Sequence, residues 1–252
     1  MSARQHLADI RSELIVCCSG CRVWTRCSTK GKGERMIKAV IFDLDMCIFD
    51  TRTLGEHILE PVLAPLHASS MPVEIQREID HTLWTTSLED CVQIFHIPNA
   101  VAELMRDAHR RLVVPETIRT FGDEEYIRQV HAYRALVTSG YRLWQERKIE
   151  QLGIADSFDE VIIDVIDDAR LRKGKRVIFQ ELMARHGWRP KEVLVVGDNP
   201  HSELKAGKEL GMITVQTLRP SVQKAEGCNY YIRSLRELLP LMLKSIFMIA
   251  PD

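Results

Sequence analysis

The stretch from Ile37 to Phe42 constrains the fold of this chain more than any other. Its residues are all apolar except Lys38. A strand of this composition is too apolar to leave one face in water, so it suits the centre of a sheet that is covered on both faces. Such strands are typical of doubly wound parallel sheets, in which ligands bind just beyond the carboxyl ends of the strands.

Two carboxylates, Asp43 and Asp45, come directly after this strand. Aspartate is common in turns, so the pair by itself fits a turn as well as a ligand site. The choice between these interpretations depends on the residues at the carboxyl ends of the other strands.

Charge and composition exclude several classes of protein. Lys and Arg number 34 against 35 for Asp and Glu, a net charge of -1, and 45% of the residues are hydrophobic. We therefore expect a globular protein with no general affinity for nucleic acid or for an anionic membrane. The apolar stretch 238–250 is interrupted by Pro240 and Lys244 and is too short to span a bilayer.

The cysteines are seven in number, irregularly spaced and not preceded by a secretory segment. This pattern predicts a reducing, cytoplasmic compartment rather than a disulfide framework. Four of them lie in the basic segment 1–35, where Cys18 and Cys21 form a C-x-x-C. A zinc site is the alternative there, but a second ligand pair is missing. We expect this segment to be a flexible leader.

Periodicity divides the rest of the chain into two parts. Apolar residues at helical spacing, without a credible strand, predict an all-helical domain over residues 52–118. Strands and helices alternate from residue 119, which implies parallel pairing. The expected fold is therefore α/β, a doubly wound parallel sheet built from 36–51 and 119–252 with the helical domain inserted as a cap. The expected strands after the first lie at 134–138, 161–164, 193–196, 213–216 and 230–232, and the expected core helices at 124–132, 141–152, 173–186, 202–210 and 235–243.

Polar residues lie at the carboxyl ends of the predicted strands. Thr138 and Ser139 end one strand, Asp198 comes after another, and Lys173 opens a helix. Parallel strands end at one edge of a sheet, so these side chains are expected to converge with Asp43 and Asp45. Such a set can transfer a phosphoryl group, because one carboxylate can attack phosphorus, a second can protonate the leaving oxygen, and carboxylates can hold a metal.

The same residues resemble the four motifs of the haloacid dehalogenase-like hydrolases. The motifs are D-x-D at Asp43 and Asp45, the apolar strand that ends in Thr138, Lys173, and G-D-x-x-x-x-E from Gly197 to Glu203. They occur in the family's order within residues 36–240, and the helical segment stands where the family's type I cap lies. The resemblance implies a Rossmann-like core and phosphoryl transfer that depends on Mg²⁺.

The resemblance also implies a role for each matched residue. Asp43 would be the nucleophile and Asp45 the general acid and base, while Thr138 and Lys173 would bind the phosphoryl group and neutralise charge. Ser139 and Asn199 are further candidates for substrate contact. The metal ligands would be Asp43, Asp45 through its backbone carbonyl, Asp198 and Glu203.

The sequence departs from the family's pattern in two places and offers two candidates for its lysine. The family usually has Gly-Thr, or a small or acidic residue and Thr, after the second Asp, whereas Met46 and Cys47 stand here. Glu203 replaces an Asp and is long enough to reach a metal through water. Lys175 competes with Lys173, and we prefer Lys173 because it comes six residues before Phe179, as the family's lysine comes before a packing Phe.

The leading interpretation is a phosphatase that acts on a small phosphorylated metabolite. A sugar phosphomutase of the β-phosphoglucomutase kind is the near alternative, since it uses the same D-x-D. A non-catalytic binding protein on the same fold is the alternative from another class, because fold does not imply function. A dehalogenase is disfavoured, since its nucleophile typically lacks an acid two residues on. The sequence leaves the substrate and the oligomeric state open.

Overall fold

A computed structural model describes residues 36–247, with side chains to residue 242. The C-x-x-C at Cys18 and Cys21 lies outside the described residues, as does the rest of segment 1–35. The cysteines that are described, Cys47, Cys91 and Cys228, are free.

A parallel sheet forms the centre of the described chain. Its strands are β1 (Ala39–Phe42), β2 (Tyr133–Gly140), β3 (Glu160–Val165), β4 (Val193–Gly197), β5 (Ile213–Thr217) and β6 (Tyr230–Ile232). They lie in the order β3-β2-β1-β4-β5-β6, with every neighbouring pair parallel. The predicted strands are all present, and the predicted α/β fold class is confirmed.

Helices cover both faces of this sheet. They are α5 (Arg142–Leu152), α6 (Lys175–His186), α7 (Glu203–Glu209) and α8 (Leu238–Phe247). Successive residues of a strand point to opposite faces. Accordingly Val40 and Phe42 pack in a cluster that includes residues of α5 and α8, whereas Ala39 and Ile41 pack against α6 and α7. Burial on both faces is the reason why the first strand is almost wholly apolar.

Helices also fill the segment between β1 and β2. They are α1 (Glu60–His67), α2 (Val73–Thr82), α3 (Leu88–Ile94) and α4 (Asn99–Arg110). Residues 52–118 contain no strand. These helices, which we call the helical insertion, pack around Val62, Leu66, Ile79 and Met105 in a cluster that also includes Tyr141 and Ile166. No helix within residues 36–247 has the length and apolar character needed to cross a membrane.

Three predicted helices differ from those observed. The one expected at 235–243 consists of a 3₁₀ turn, Leu235–Glu237, followed by α8 from Leu238. The helix expected at 124–132 is a short 3₁₀ helix, Glu124–Gln129. The helix expected from residue 173 begins at Lys175. Gly174 precedes it with φ 81°, a left-handed backbone through which a right-handed helix cannot extend. This shift of two residues decides which lysine enters the site.

The order of the strands creates a crevice beside β1. The chain passes from β1 to β2 and β3 on one side, then returns to place β4 on the other side. Ligands bind at such a reversal in open α/β sheets. Asp43 comes after β1 and Asp198 after β4, so both lie at this point, as expected from the sequence.

Candidate active site

Asp43 lies at the end of β1 and is almost inaccessible to solvent. Its backbone N–H donates to the carbonyl of Val196 at 2.9 Å, which continues the pairing of β1 with β4 by one residue. Its side chain is 8% exposed, and Oδ1 accepts a hydrogen bond from Lys175 Nζ at 2.8 Å. Lys175 also donates to Glu203 Oε2 at 2.9 Å. One buried ammonium therefore joins the two carboxylates.

The preference for Lys173 as the lysine beside Asp43 is corrected by this geometry. Lys173 Nζ pairs with Glu181 at 2.8 Å, and its side chain is 53% exposed. The Asp164 carboxylate accepts the backbone N–H groups of Lys173 and Gly174, which fixes the turn before α6. Lys175 is then the first residue of the helix, and side chains of a helix tilt toward its N-terminus, here toward the crevice.

Three acids surround this lysine. Asp43, Asp198 and Glu203 each place a carboxylate oxygen within 4.8 Å of the others. Gly197 makes room for Glu203, because a Cβ at this position would overlap the carboxylate of Glu203. Oxygen donors at this separation suit a hard divalent cation such as Mg²⁺. The residues present therefore fit the metal that the sequence implied.

Electrostatics in the cluster favour a cation as well. Burial raises the pKa of Asp198 to about 8, with a further contribution from Glu203 and Asp43. Burial likewise raises the pKa of Asp43 to about 7, although the charge of Lys175 opposes this rise. Burial disfavours the charged form of Lys175, but Asp43 and Glu203 outweigh it and raise its pKa. The Lys175 ammonium therefore stays charged. Its single positive charge cannot balance three ionised carboxylates, so a bound cation would stabilise their charged forms.

Asp45 lies in the loop after β1 and is held by α5. Lys148 Nζ donates to Asp45 Oδ1 at 2.6 Å, and Gln145 Nε2 donates to Asp45 Oδ2 at 3.1 Å. Gln145 Nε2 also lies 2.7 Å from Thr138 Oγ1. The structure thus links Asp45 to Thr138, which is buried at the end of β2.

Two other candidate contacts are directed elsewhere. Ser139 Oγ donates to Asp164 Oδ2 at 3.2 Å, so its hydroxyl faces the turn before α6. Asn199 Oδ1 accepts the backbone N–H of His201, and the Asn199 N–H donates to Glu203 Oε1 at 2.7 Å. The side chain of Asn199 therefore shapes the loop after β4, and its backbone orients Glu203.

Comparison with known proteins shows the family of this chain. Residues 40–217 match the sequence profile described as "Haloacid dehalogenase-like hydrolase", which is more than half of the chain. The chain belongs to the haloacid dehalogenase-like hydrolases. It is 24% identical over 227 residues to glyceraldehyde 3-phosphate phosphatase of Methanocaldococcus jannaschii, covering 82% of this chain and 97% of the relative.

Solved structures of the family have the same fold. YfnB of Bacillus subtilis, assigned provisionally as a HAD-hydrolase and solved with bound magnesium, aligns with a TM-score of 0.58 and 17% identity, over 82% of this chain and 99% of that one. A Thermotoga maritima protein assigned provisionally as a β-phosphoglucomutase aligns with a TM-score of 0.54 and 18% identity, over 82% and 99%. At these identities the likeness concerns the fold alone.

The loop after Asp45 departs from the usual sequence of the haloacid dehalogenase-like hydrolases. Met46 has φ 53°, in the left-handed region that glycine adopts without strain. This backbone explains the family's glycine at the position, and a methionine there costs about 1 kcal/mol. The Met46 N–H donates to Phe49 O at 2.9 Å, and Thr51 Oγ1 donates to Met46 Sδ at 3.0 Å, which holds the loop.

Cys47 is a packing residue of this loop. It is fully buried, and burial raises the pKa of its thiol well above the usual value, with Asp43 adding to the rise. Its carbonyl accepts a hydrogen bond from Arg219 Nε at 2.9 Å. The expectation from the sequence, a small packing side chain, agrees with this environment.

Sequence reasoning missed three residues of this hydrolase that contact the site or its loop. Arg219 lies far from the motifs in the chain, so the sequence offers no signal for it. Gln145 and Lys148 stand on the predicted helix after Thr138, three residues apart and therefore on one face. Both are buried together with Ile149. These two polar residues on the face of the helix that also carries Ile149 were the sequence signal that could have identified them.

Proposed function

We propose that this protein is a magnesium-dependent phosphoric monoester hydrolase that acts on a small phosphorylated metabolite through an aspartyl-phosphate intermediate. One observation carries the proposal: Asp43 lies buried against Lys175 at 2.8 Å, within the cluster of Asp198 and Glu203. A carboxylate in that position is a nucleophile held beside a cation and a metal-binding set.

In this mechanism Asp43 attacks phosphorus while the bond to the leaving oxygen breaks. Asp45 gives its proton to that oxygen and then takes a proton from the water that hydrolyses the aspartyl-phosphate. Lys175 offsets negative charge on Asp43 and on the transferred group, and Thr138 offers its hydroxyl to a phosphoryl oxygen. Mg²⁺, held by Asp43, Asp198, Glu203 and the backbone carbonyl of Asp45, would supply further positive charge for the phosphoryl oxygens.

The helical insertion would serve as the cap that selects the substrate. Two hydrogen bonds are among the contacts that join it to the core: Asp90 Oδ1 of α3 accepts from Arg172 Nη2 at 2.9 Å, and Glu89 Oε1 accepts from the Tyr141 hydroxyl at 2.9 Å. Both core residues lie near the carboxyl edge of the sheet. A cap docked there would exclude bulk water from the reaction.

The relatives suggest where to search for the substrate. Glyceraldehyde 3-phosphate phosphatase is the name of the relative from Methanocaldococcus jannaschii, which this chain covers almost entirely. A phosphorylated three-carbon metabolite is therefore the first candidate. The cytoplasmic location expected from the cysteines stays a prediction and fits such a substrate.

A sugar phosphomutase is the second candidate function. Asp45, the acid two residues after the nucleophile, is common to both reactions, and a structure assigned provisionally as a β-phosphoglucomutase shares the fold. The two reactions differ in the acceptor of the phosphoryl group, which is water in one and a sugar hydroxyl in the other.

A panel of phosphate esters tests the proposal. It contains glyceraldehyde 3-phosphate, a nucleoside monophosphate, β-glucose 1-phosphate and p-nitrophenyl phosphate, each with Mg²⁺ and with EDTA. We expect release of phosphate that requires Mg²⁺, that is lost in Asp43→Asn and that persists in Asp159→Asn, a control whose carboxylate pairs with Arg134. Conversion of glucose 1-phosphate to the 6-phosphate without net release would favour the mutase. Absence of either reaction would leave the non-catalytic binding protein.

A further inference from the structure

Helix α5 presents an unusual buried face to the site. Gln145, Lys148 and Ile149 are its buried residues, and the first two direct their polar ends to Asp45. A helix that packs on a sheet normally buries apolar side chains. Two polar residues on the covered face therefore call for an explanation beyond packing.

Stability is a poor explanation for Lys148. Its side chain is 4% exposed, whereas that of Asp45 is 33% exposed. Burial of an ammonium carries a desolvation penalty that an ion pair barely repays, so an apolar residue of similar size stabilises a protein at least as well. The ammonium also lies over the Phe49 ring, 5.3 Å from its centre, which fixes its position beside Asp45.

Gln145 ties the same carboxylate to the phosphate-binding end of β2. Its Nε2 donates to Asp45 and lies within 2.9 Å of the Ser139 carbonyl as well as near Thr138. Gly140 leaves the space for it, since a Cβ there would lie 2.8 Å from Gln145 Cγ and Cδ. Gln145 Oε1 is buried with no partner among the described residues. An amide that leaves its own oxygen unsatisfied is placed for its donor contacts.

We infer that Gln145 and Lys148 are positioning residues that hold the Asp45 carboxylate in line with the leaving oxygen of the substrate. Each carboxylate oxygen accepts more than one hydrogen bond, so both contacts leave room for the transferred proton. The proton passes from Asp45 to the leaving oxygen as the bond from phosphorus to that oxygen breaks and the bond from Asp43 to phosphorus forms. This inference rests on the proposed function.

In the step that forms the aspartyl-phosphate, the two residues would matter only where a proton must be supplied to the leaving oxygen. An alkyl phosphate has a poor leaving group and depends on general acid catalysis, whereas p-nitrophenolate leaves without a proton. The ratio kcat/KM reports on steps up to transfer to Asp43 and excludes hydrolysis of the intermediate. Comparison of this ratio for the two classes of ester therefore isolates the orientation of Asp45.

The experiment measures kcat/KM of the full chain with an alkyl phosphate and with p-nitrophenyl phosphate. For Lys148→Met and Gln145→Leu we expect a loss of about 100-fold with the alkyl ester and less than about fivefold with the aryl ester. Lys148→Arg restores part of the alkyl activity. The control Lys38→Met removes a lysine paired with Glu192 and leaves kcat/KM unchanged for both esters. Thermal melting of each variant shows whether it is folded.

A second variant tests the inference even if Lys148→Met does not fold. Gly140→Ala displaces Gln145 without removing any charge and is expected to reduce alkyl activity selectively. Equal losses with both esters, or full alkyl activity in Lys148→Met, would overturn the inference and leave the phosphatase in place. Failure of the wild-type protein to turn over either ester would overturn the proposed function, and the inference with it.

Discussion

Lys175 is the residue whose position most affects the chemistry proposed for this protein. It is the single lysine in contact with the cluster of Asp43, Asp198 and Glu203 among the described residues, and it bonds two of the three acids. An ammonium fixed among carboxylates needs no rearrangement when negative charge develops nearby. Without this ammonium, the negative charges of Asp198 and Glu203 would repel that of Asp43 with no neighbouring positive charge to offset them.

Substitution of each lysine distinguishes the two candidates of the sequence. We expect Lys175→Met to lower kcat by about 10²–10³-fold, as for loss of a group that stabilises charge in the transition state. Lys173→Met removes only an exposed pair with Glu181, so kcat and stability change little. Steady-state kinetics on the best substrate of the panel provides the measurement. A larger effect of Lys173→Met would restore the prediction from the sequence.

At the scale of elements, Arg219 joins three loops behind the site. It donates to both oxygens of Asp123 at 2.8 Å, to the Cys47 carbonyl at 2.9 Å and to the Arg233 carbonyl at 3.1 Å. Asp123 in turn accepts the Leu235 N–H at 2.9 Å. The loop after Asp43 and Asp45 is therefore anchored to Asp123 and to the segments that follow β5 and β6.

Truncation of Arg219 should be costly for this reason. Arg219→Leu leaves the Asp123 carboxylate buried without its partner, and we expect a loss of about 3–5 kcal/mol in the free energy of unfolding. Arg134→Leu is the matched control, since its pair with Asp159 is more exposed and should contribute less than about 1 kcal/mol. Urea denaturation of the two variants checks the difference. Equal losses would show that Arg219 is not an anchor.

Helices α4 and α5 meet at an aromatic contact that includes a partly buried histidine. The His109 ring stacks on Tyr141 with centroids 3.9 Å apart and meets the edge of Trp144 at 6.0 Å. Burial lowers the pKa of His109 to about 4, and the charge of Lys148 adds to the shift. The unfolded chain therefore binds a proton more readily than the folded one below the ordinary pKa of 6.5.

Stability should consequently fall with acid in a defined window. The contribution of His109 is complete above pH 6.5 and is lost as the pH falls toward 4. We expect wild type to lose up to about 2 kcal/mol more than His109→Gln between about pH 7 and pH 5, because each pH unit between the two pKa values costs about 1.4 kcal/mol and the window ends above the lower one. Urea titrations at the two pH values provide the comparison. Parallel pH profiles would contradict a buried neutral imidazole.

At the scale of the whole molecule, binding of the proposed Mg²⁺ at the acidic cluster would be coupled to folding. The three carboxylates come from the ends of β1 and β4 and from α7, so they meet only in the folded chain. A cation that binds this state alone stabilises it by mass action, by about 2.7 kcal/mol at one hundred times Kd. The melting temperature should therefore report on the site without any substrate.

Mg²⁺ is expected to raise Tm by about 5 °C at saturating concentration, and EDTA should reverse the rise. Asp198→Asn removes one ligand and should abolish most of this shift, while Asp159→Asn, a surface acid, should keep it. Differential scanning calorimetry checks both variants. An equal shift in Asp198→Asn would place the cation elsewhere.

The affinity for Mg²⁺ should also depend on pH. Because the pKa values of Asp43 and Asp198 are raised to about 7 and about 8, protons occupy these carboxylates below neutrality. Protons must leave before the cation binds, so the affinity should rise from about pH 6 to about pH 8. Titration calorimetry in two buffers would reveal the released protons. An affinity that does not change over this range would argue against protonated ligands.

Much of this molecule is determined by local patterns in its sequence. Apolar runs of strand length, separated by helices that end at Gly153 and Gly187, were sufficient to predict the parallel sheet. The polar residues after β1, β2 and β4 were sufficient to predict where a site would lie, because parallel strands end at one edge. Asp43 and Asp198 could therefore be named without coordinates, and the resemblance to the family's motifs added Glu203.

The tertiary structure alone decided which side chains complete the site. Lys175, not Lys173, contacts Asp43, because the backbone turn at Gly174, which Asp164 fixes, sets where α6 begins. The spacing of residues in the sequence does not reveal that turn. Gln145, Lys148 and Arg219 meet the loop of Asp45 across 100, 103 and 172 positions of the chain. Contacts over such distances depend on how helices and loops pack against the sheet, which periodicity does not specify.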